Sequence, residues 1–239
     1  MNRPQLTGNY SGLKSGNSLK NLCYDSLATL NNGMINYFNF DETSGKLLDQ
    51  IDGNHGTVTG ATQGVTGVIR TAYSFDGNND YIDLTKTHTF QLTDSFTISL
   101  LFKPTAINTG YQMIDRTTNI NSIIQIFLTF KDLSFRIRGS NGAGVTTVNY
   151  INACTVANVW YHTICERNVI TDQINIRVND IDWITPLTDA TTAAIGPFTF
   201  RIGVAQNLTT DFNGSMDELR IWKRLLTSEE KTNLYNYYR

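Results

Sequence analysis

The chain has 239 residues, of which 40% are hydrophobic, and its 19 basic and 21 acidic side chains give a formal charge of -2. That length suffices for one large β domain with a full core. The near-neutral balance contains no run of Lys or Arg long enough to track a phosphate backbone, which excludes nucleic acid as an expected partner.

Residues 1–32 are rich in Asn, Ser, Gly and Lys, with isolated Leu residues. They read as an N-terminal arm rather than as part of a core, because so polar a segment buries little by itself. An arm of this kind is tied down either by its own domain or by a partner, and it makes an oligomeric protein, or one built into a larger assembly, the expectation. Its first twenty residues, MNRPQLTGNYSGLKSGNSLK, contain no apolar stretch of the secretory type. No uninterrupted apolar span of about 18 residues follows that could anchor the chain in a membrane.

From Met34 onward the apolar period changes to two. SFTISLLF places Phe96, Ile98, Leu100 and Phe102 on one face, and DLSFRIRG turns Leu133, Phe135 and Ile137 inward with Arg136 and Arg138 outward. QINIRVND and FTFRIG repeat the pattern with Ile174, Ile176 and Val178, then Phe198, Phe200 and Ile202. Such half-buried strands at short intervals, without helices of crossover length, predict an all-β antiparallel sandwich. Asp76-Gly77 and Asn141-Gly142 supply turn chemistry, since Gly tolerates positive φ. Cys23, Cys154 and Cys165 show no Cys-x-x-Cys spacing. Cys165 is expected in the core as a free thiol, with a Cys154–Cys165 bridge as the alternative. The end of the chain changes character again. In LLTSEEKTNLYNYY, Thr227 and Glu230 form a capping box, and Leu234, Tyr235 and Tyr238 make a packing stripe for a short C-terminal helix.

Five motifs carry a family resemblance in order. They are GMINYFNFDETSGKLLDQIDGNHGTV, AYSFDGNNDYIDL, FTISLLFKP, VWYHTICERN and FNGSMDELRIWKRLLTSEE. Together they resemble the laminin-G-like family of concanavalin A-like jelly rolls over about Gly33 to Tyr237. The sequence departs from the family pattern at Leu101, where a Trp is usual, at Tyr161, where a His is usual, and at Asn179-Asp180, which replaces an Asp-Gly turn. The resemblance implies a two-sheet jelly roll over residues 33–239. It also implies that Asp217, expected to point to the core with Leu219 and Ile221, helps to tie the first and last strands together, in some members around structural calcium. Asp41, Asp76, Asn78, Asp80 and Asp217 are the oxygen donors such an ion would use; the other reading is that Asp217 accepts backbone N–H bonds.

Catalysis is not expected. Glucanases of this architecture set their carboxylates on one face of a single strand as Glu-x-Asp-x-x-Glu or Glu-x-Asp-x-Glu, and the chain has no such run. His55, His88 and His162 lie in separate segments and read as structural. Two functions follow. The first is a non-catalytic surface component of a phage or virus particle, or of another extracellular assembly, docked on other virion or surface proteins through the arm. The second is an autonomous carbohydrate-binding module at a bacterial cell surface, with Trp183, Tyr111 and Tyr150 as loop aromatics for the faces of sugar rings.

Overall fold

The period-two segments fold as strands because alternate side chains of an extended backbone face opposite ways. The computed structural model describes residues 29–117, 121–182 and 185–239. The first nine strands are β1 (Met34–Phe38), β2 (Gly56–Thr59), β3 (Thr62–Thr66), β4 (Thr71–Asp76), β5 (Tyr81–Leu84), β6 (His88–Phe90), β7 (Phe96–Pro104), β8 (Gly110–Arg116) and β9 (Ile123–Thr129). Then come β10 (Asp132–Arg138), β11 (Thr146–Tyr150), β12 (Tyr161–Asn168), β13 (Gln173–Val178), β14 (Ile181–Asp182), β15 (Leu187–Thr188), β16 (Ile195–Phe198), β17 (Phe200–Ile202) and β18 (Asn213–Trp222). One helix, α1 (Ser228–Tyr237), closes the chain.

A nine-stranded sheet runs β14-β13-β12-β7-β18-β4-β3, with β1 on β18 and β15 on β13; a seven-stranded sheet runs β11-β10-β9-β8-β17-β5-β2. Every pairing in both sheets is antiparallel. This is the antiparallel sandwich that the alternation predicted, in the two-sheet jelly-roll form that the family resemblance implied. Phe96, Ile98, Leu100 and Phe102 meet Leu133, Phe135 and Ile137 in one core between the sheets. Each such side chain contributes about 1.5–3 kcal/mol by leaving water. Cys154 and Cys165 are both buried and free, so the bridge held open as an alternative is not formed.

A second apolar cluster lies on the outside of the nine-stranded sheet, where Leu30, Leu101, Trp222, Leu226, Leu234 and Tyr238 pack together beneath α1. Thr227 caps the helix by accepting the Glu230 N–H, while the Glu230 carboxylate accepts the Thr227 N–H. Residues 29–32, the end of the expected arm, are held here by the domain itself. Trp222 Nε1 donates to the Leu30 carbonyl at 2.6 Å, and Arg224 donates to the carbonyls of Thr29 and Asn32. Residues 1–28 lie outside the described residues.

The path of β18 corrects one expectation. Met216, Leu219 and Ile221 all reach the inter-sheet core, which strict alternation forbids for positions three apart. The register against β7 slips between Asp217 and Arg220, and Glu218 adopts φ 55, so one extra residue is accommodated as a bulge. Asp217 consequently faces outward opposite Leu101, under the cap, and not inward with Leu219 and Ile221.

Candidate functional site

α1 and its loop cover one sheet face; the outward face of the seven-stranded sheet is built from polar and ring side chains instead. In β9 the inward Ile124, Ile126 and Leu128 leave Gln125 and Phe127 outward, and in β10 the inward Leu133, Phe135 and Ile137 leave Ser134 and Arg136 outward. Cross-strand register aligns Gln125 with Arg136 and Thr147, and Phe127 with Ser134 and Asn149. On the other side of β8, Tyr81 and Asp83 of β5 and Arg201 of β17 complete the row.

These groups are connected. The Arg136 guanidinium lies 4.9 Å from the Phe127 ring centroid, and its Nε donates to Thr147 Oγ1 at 3.0 Å. Gln125 accepts from Arg136 Nη1 at 3.4 Å and donates to Asp115 Oδ2 at 3.0 Å. Arg201 lies 4.8 Å from the Tyr81 centroid and clasps Asp83 through Nε and Nη2 at 2.6 and 2.8 Å. That carboxylate raises the Arg201 pKa further above its ordinary range. Asp115 is held by Arg116 and by the Gln206 N–H. Arg136 differs from its neighbours, because it is half-buried on a ring and ion-paired to no carboxylate among the described residues. A flat row of two guanidinium-stacked rings, amides and hydroxyls can give a ligand apolar contact and directed hydrogen bonds at once.

The aromatics expected to bind do not gather there. Tyr111 lies in β8 and not in a loop, is 6% exposed, and packs edge-on against Phe212 at 5.6 Å. Asn-Thr-Gly before it reads as a turn, but the strand already begins at Gly110. Tyr150 ends β11 opposite the inward Leu133 and packs half-buried against the core. Trp183 lies outside the described residues. The rings that do lie on this face, Phe127 and Tyr81, were not singled out from the sequence, although each stands at the outward position of an alternating strand.

The five expected calcium donors do not gather into one cage among the described residues. Asp41 accepts the Thr71 N–H and bonds Arg70 and Asn39; Asp76 accepts the Asn78 N–H and Asp80 the Asp76 N–H, both within one turn; Asp217 Oδ2 accepts the N–H groups of Val68 and Ile69. Among the described residues no group of three or more His, Cys, Asp or Glu side chains could hold a metal ion. The three histidines make structural contacts: His55 Nδ1 accepts the Asp49 N–H, His88 bonds Asn54, and His162 bonds Ser99. Burial pushes His88 down to about 4 and His162 to about 3.

The Laminin_G_3 family pattern, described as the concanavalin A-like lectin/glucanases superfamily, matches residues 76–230. The chain belongs to this superfamily. No curated protein matches it. Among solved structures it is similar to the binding domain of Paraclostridial Mosquitocidal Protein 1, with TM-score 0.71 and 18% identity over 87% of this chain and 53% of that one. It is similar as well to the botulinum neurotoxin serotype D ligand binding domain in complex with N-acetylneuraminic acid, with TM-score 0.71 and 12% identity over 89% and 52%. A third such structure belongs to botulinum neurotoxin type C, whose cell entry is dependent upon interaction with two ganglioside molecules, and gives TM-score 0.65 and 15% identity over 89% and 53%. The chain spans about half the length of each, and at these identities the likeness is one of fold. No helix among the described residues is long and apolar enough to cross a membrane.

Proposed function

We propose that this superfamily member is a non-catalytic binding domain that recognises a glycan on the outward face of its seven-stranded sheet. The observation that carries the reading is the row from Tyr81 and Arg201, across the Gln206 backbone that accepts from Arg201 Nη1 and donates to Asp115, through Gln125 to Arg136, Phe127 and Thr147, on the sheet face that α1 does not cover. Sugars present apolar C–H faces and rings of hydroxyls, and this row offers partners for both. The similar domains named for N-acetylneuraminic acid and gangliosides support the ligand class. Asp83 and Asp115 are both held by arginines, which leaves neither carboxylate of the face ready to act as acid or nucleophile.

A glycan array probed with the wild type, Arg136→Ala and Phe127→Ala tests the reading. Binding to a defined glycan set should fall at least about tenfold in each variant, as loss of a charged hydrogen-bond donor or a stacked ring predicts, with melting unchanged. Undiminished binding in both variants contradicts it. The alternative setting is a surface component of a phage, virus or other extracellular assembly that docks through the segment before residue 29, where the chain is anchored beside the helix cap. Light scattering on the full chain and on a chain beginning at residue 29 separates the two. An oligomer that becomes a folded monomer on truncation favours assembly.

A further inference from the structure

Exposed apolar side chains gather at one end of the sandwich, where three loops are knitted together. These are the two-residue turn Phe130–Lys131 between β9 and β10, residues 105–109 between β7 and β8, and residues 151–160 between β11 and β12. The Phe130 N–H donates to the Thr109 carbonyl, the Cys154 N–H to the Lys131 carbonyl and the Asn158 N–H to the Pro104 carbonyl, at 3.0, 2.9 and 2.7 Å. Ala106, Ile107 and Ala153 pack down against the core from this end. Above them Phe130, Ile151, Val156 and Val159 are 60%, 47%, 54% and 39% exposed. Phe130 also breaks a local rule. Its φ of 56 lies in the left-handed region that favours Gly and Asn, and Asn152 and Asn158, which share that region in these loops, are of the tolerant type. A bulky ring in a two-residue turn, largely in water, strains the backbone and buries little, so neither turn chemistry nor the core accounts for it.

We infer that this end of the sandwich docks on an anionic lipid bilayer, with Phe130, Ile151, Val156 and Val159 entering the interface. Charge favours that occupant. The three loops contain Lys131 and no acidic residue. Lys131 is exposed and is ion-paired to no carboxylate among the described residues. Lys103, at the end of β7, lies 5.2 Å from the Trp160 ring centroid and adds a second cation beside the 151–160 loop. Asp132, the acid next to the turn, is taken up by the Asn152 N–H at 2.8 Å. Apolar tips flanked by lysines match the acyl boundary beneath anionic headgroups, and docking of this kind needs no crossing helix. A fluid bilayer adapts to separate loop tips, whereas two copies meeting symmetrically at this end would set their lysines against each other. The inference does not rest on the glycan reading, whose Phe127 and Arg136 lie along β9 and β10 and not in their turn.

The test is co-sedimentation of the full chain with vesicles of phosphatidylcholine alone and of phosphatidylcholine with phosphatidylserine. Neither contains a glycolipid, so the sheet face is not engaged. The proteins are the wild type, Phe130→Asn, Val156→Ser, Lys131→Glu and Arg136→Ala. Asn tolerates the left-handed turn, so Phe130→Asn should melt no lower than the wild type. It should nevertheless bind the phosphatidylserine vesicles at least about tenfold more weakly, the scale of one apolar side chain withdrawn from the bilayer. Val156→Ser should weaken binding in the same direction, and Lys131→Glu should weaken it at least about fivefold on the phosphatidylserine vesicles. Arg136→Ala should sediment as the wild type does. The inference is overturned if the wild type stays in the supernatant with both vesicles, if it binds both compositions equally, or if Phe130→Asn and Val156→Ser sediment as the wild type does. A dimer in light scattering that Phe130→Asn converts to a folded monomer, without vesicle binding, would assign the loop end to a second copy instead. Failure on vesicles leaves the glycan reading standing, and failure on the glycan array leaves this one.

Discussion

Asp217 shows how much one residue can depend on its surroundings. Burial, reinforced by the neighbouring Glu218 charge, pushes its carboxyl up to about 8, although the Val68 and Ile69 N–H groups favour the charged form. An acid raised in the folded state holds a proton there that the unfolded chain, near 3.8, has already released. Stability from this group is therefore full below about pH 4 and is lost as pH rises toward 8. Asp217→Asn mimics the neutral acid, and its thermal stability should fall less than that of the wild type between pH 5 and 8.5. Parallel slopes would refute the assignment. Next to it, Arg220 and Glu218 are both fully buried at 2.5 Å, with Tyr37 donating to Glu218 and the Arg220 guanidinium 4.2 Å from the Tyr37 ring centroid. Arg220→Met strands that carboxylate, and urea denaturation should show a loss of about 3–5 kcal/mol.

At the scale of the element, α1 depends on its first turn. Burial works against the charge of Glu230, but Arg224, the Thr227 N–H and Thr29 outweigh it and hold the carboxyl down to about 2. A depressed acid contributes stability above its unfolded value near 4.5 and loses it as pH falls toward 2. Thr227→Ala should cost about 1 kcal/mol by thermal melting, and the acid sensitivity should persist, because Arg224 and Thr29 still hold Glu230. This box was legible in the sequence because a cap is a local device: Thr and Glu three apart satisfy each other's backbone. The alternation of β7, β10, β13 and β17 was legible for the same kind of reason. The bulge at Glu218 was not. Nothing in Asp-Glu-Leu-Arg announces an extra residue, which becomes necessary only when Met216 and Leu219 both have to reach one core. The proposed binding face was half legible. Arg136 is outward by alternation, but its link to Asp115 through Gln125 exists only once three strands lie side by side.

At the scale of the whole molecule, the two outward sheet faces have been put to different uses. One is roofed by α1, by the turn at Thr29–Asn31 and by a second apolar cluster, which fixes the start and the end of the domain against each other. The other presents the row of stacked guanidinium groups and amides on paired strands, which on the proposed reading holds those side chains in place before a ligand arrives. The measurement that tests this division most directly is an amide chemical-shift map of the full chain during titration with a panel of mono- and oligosaccharides that includes sialylated ones. The account predicts that an oligosaccharide moves the resonances of Gln125, Phe127, Arg136 and Thr147 together. A panel that moves none of these, or that moves only residues around α1, would contradict it.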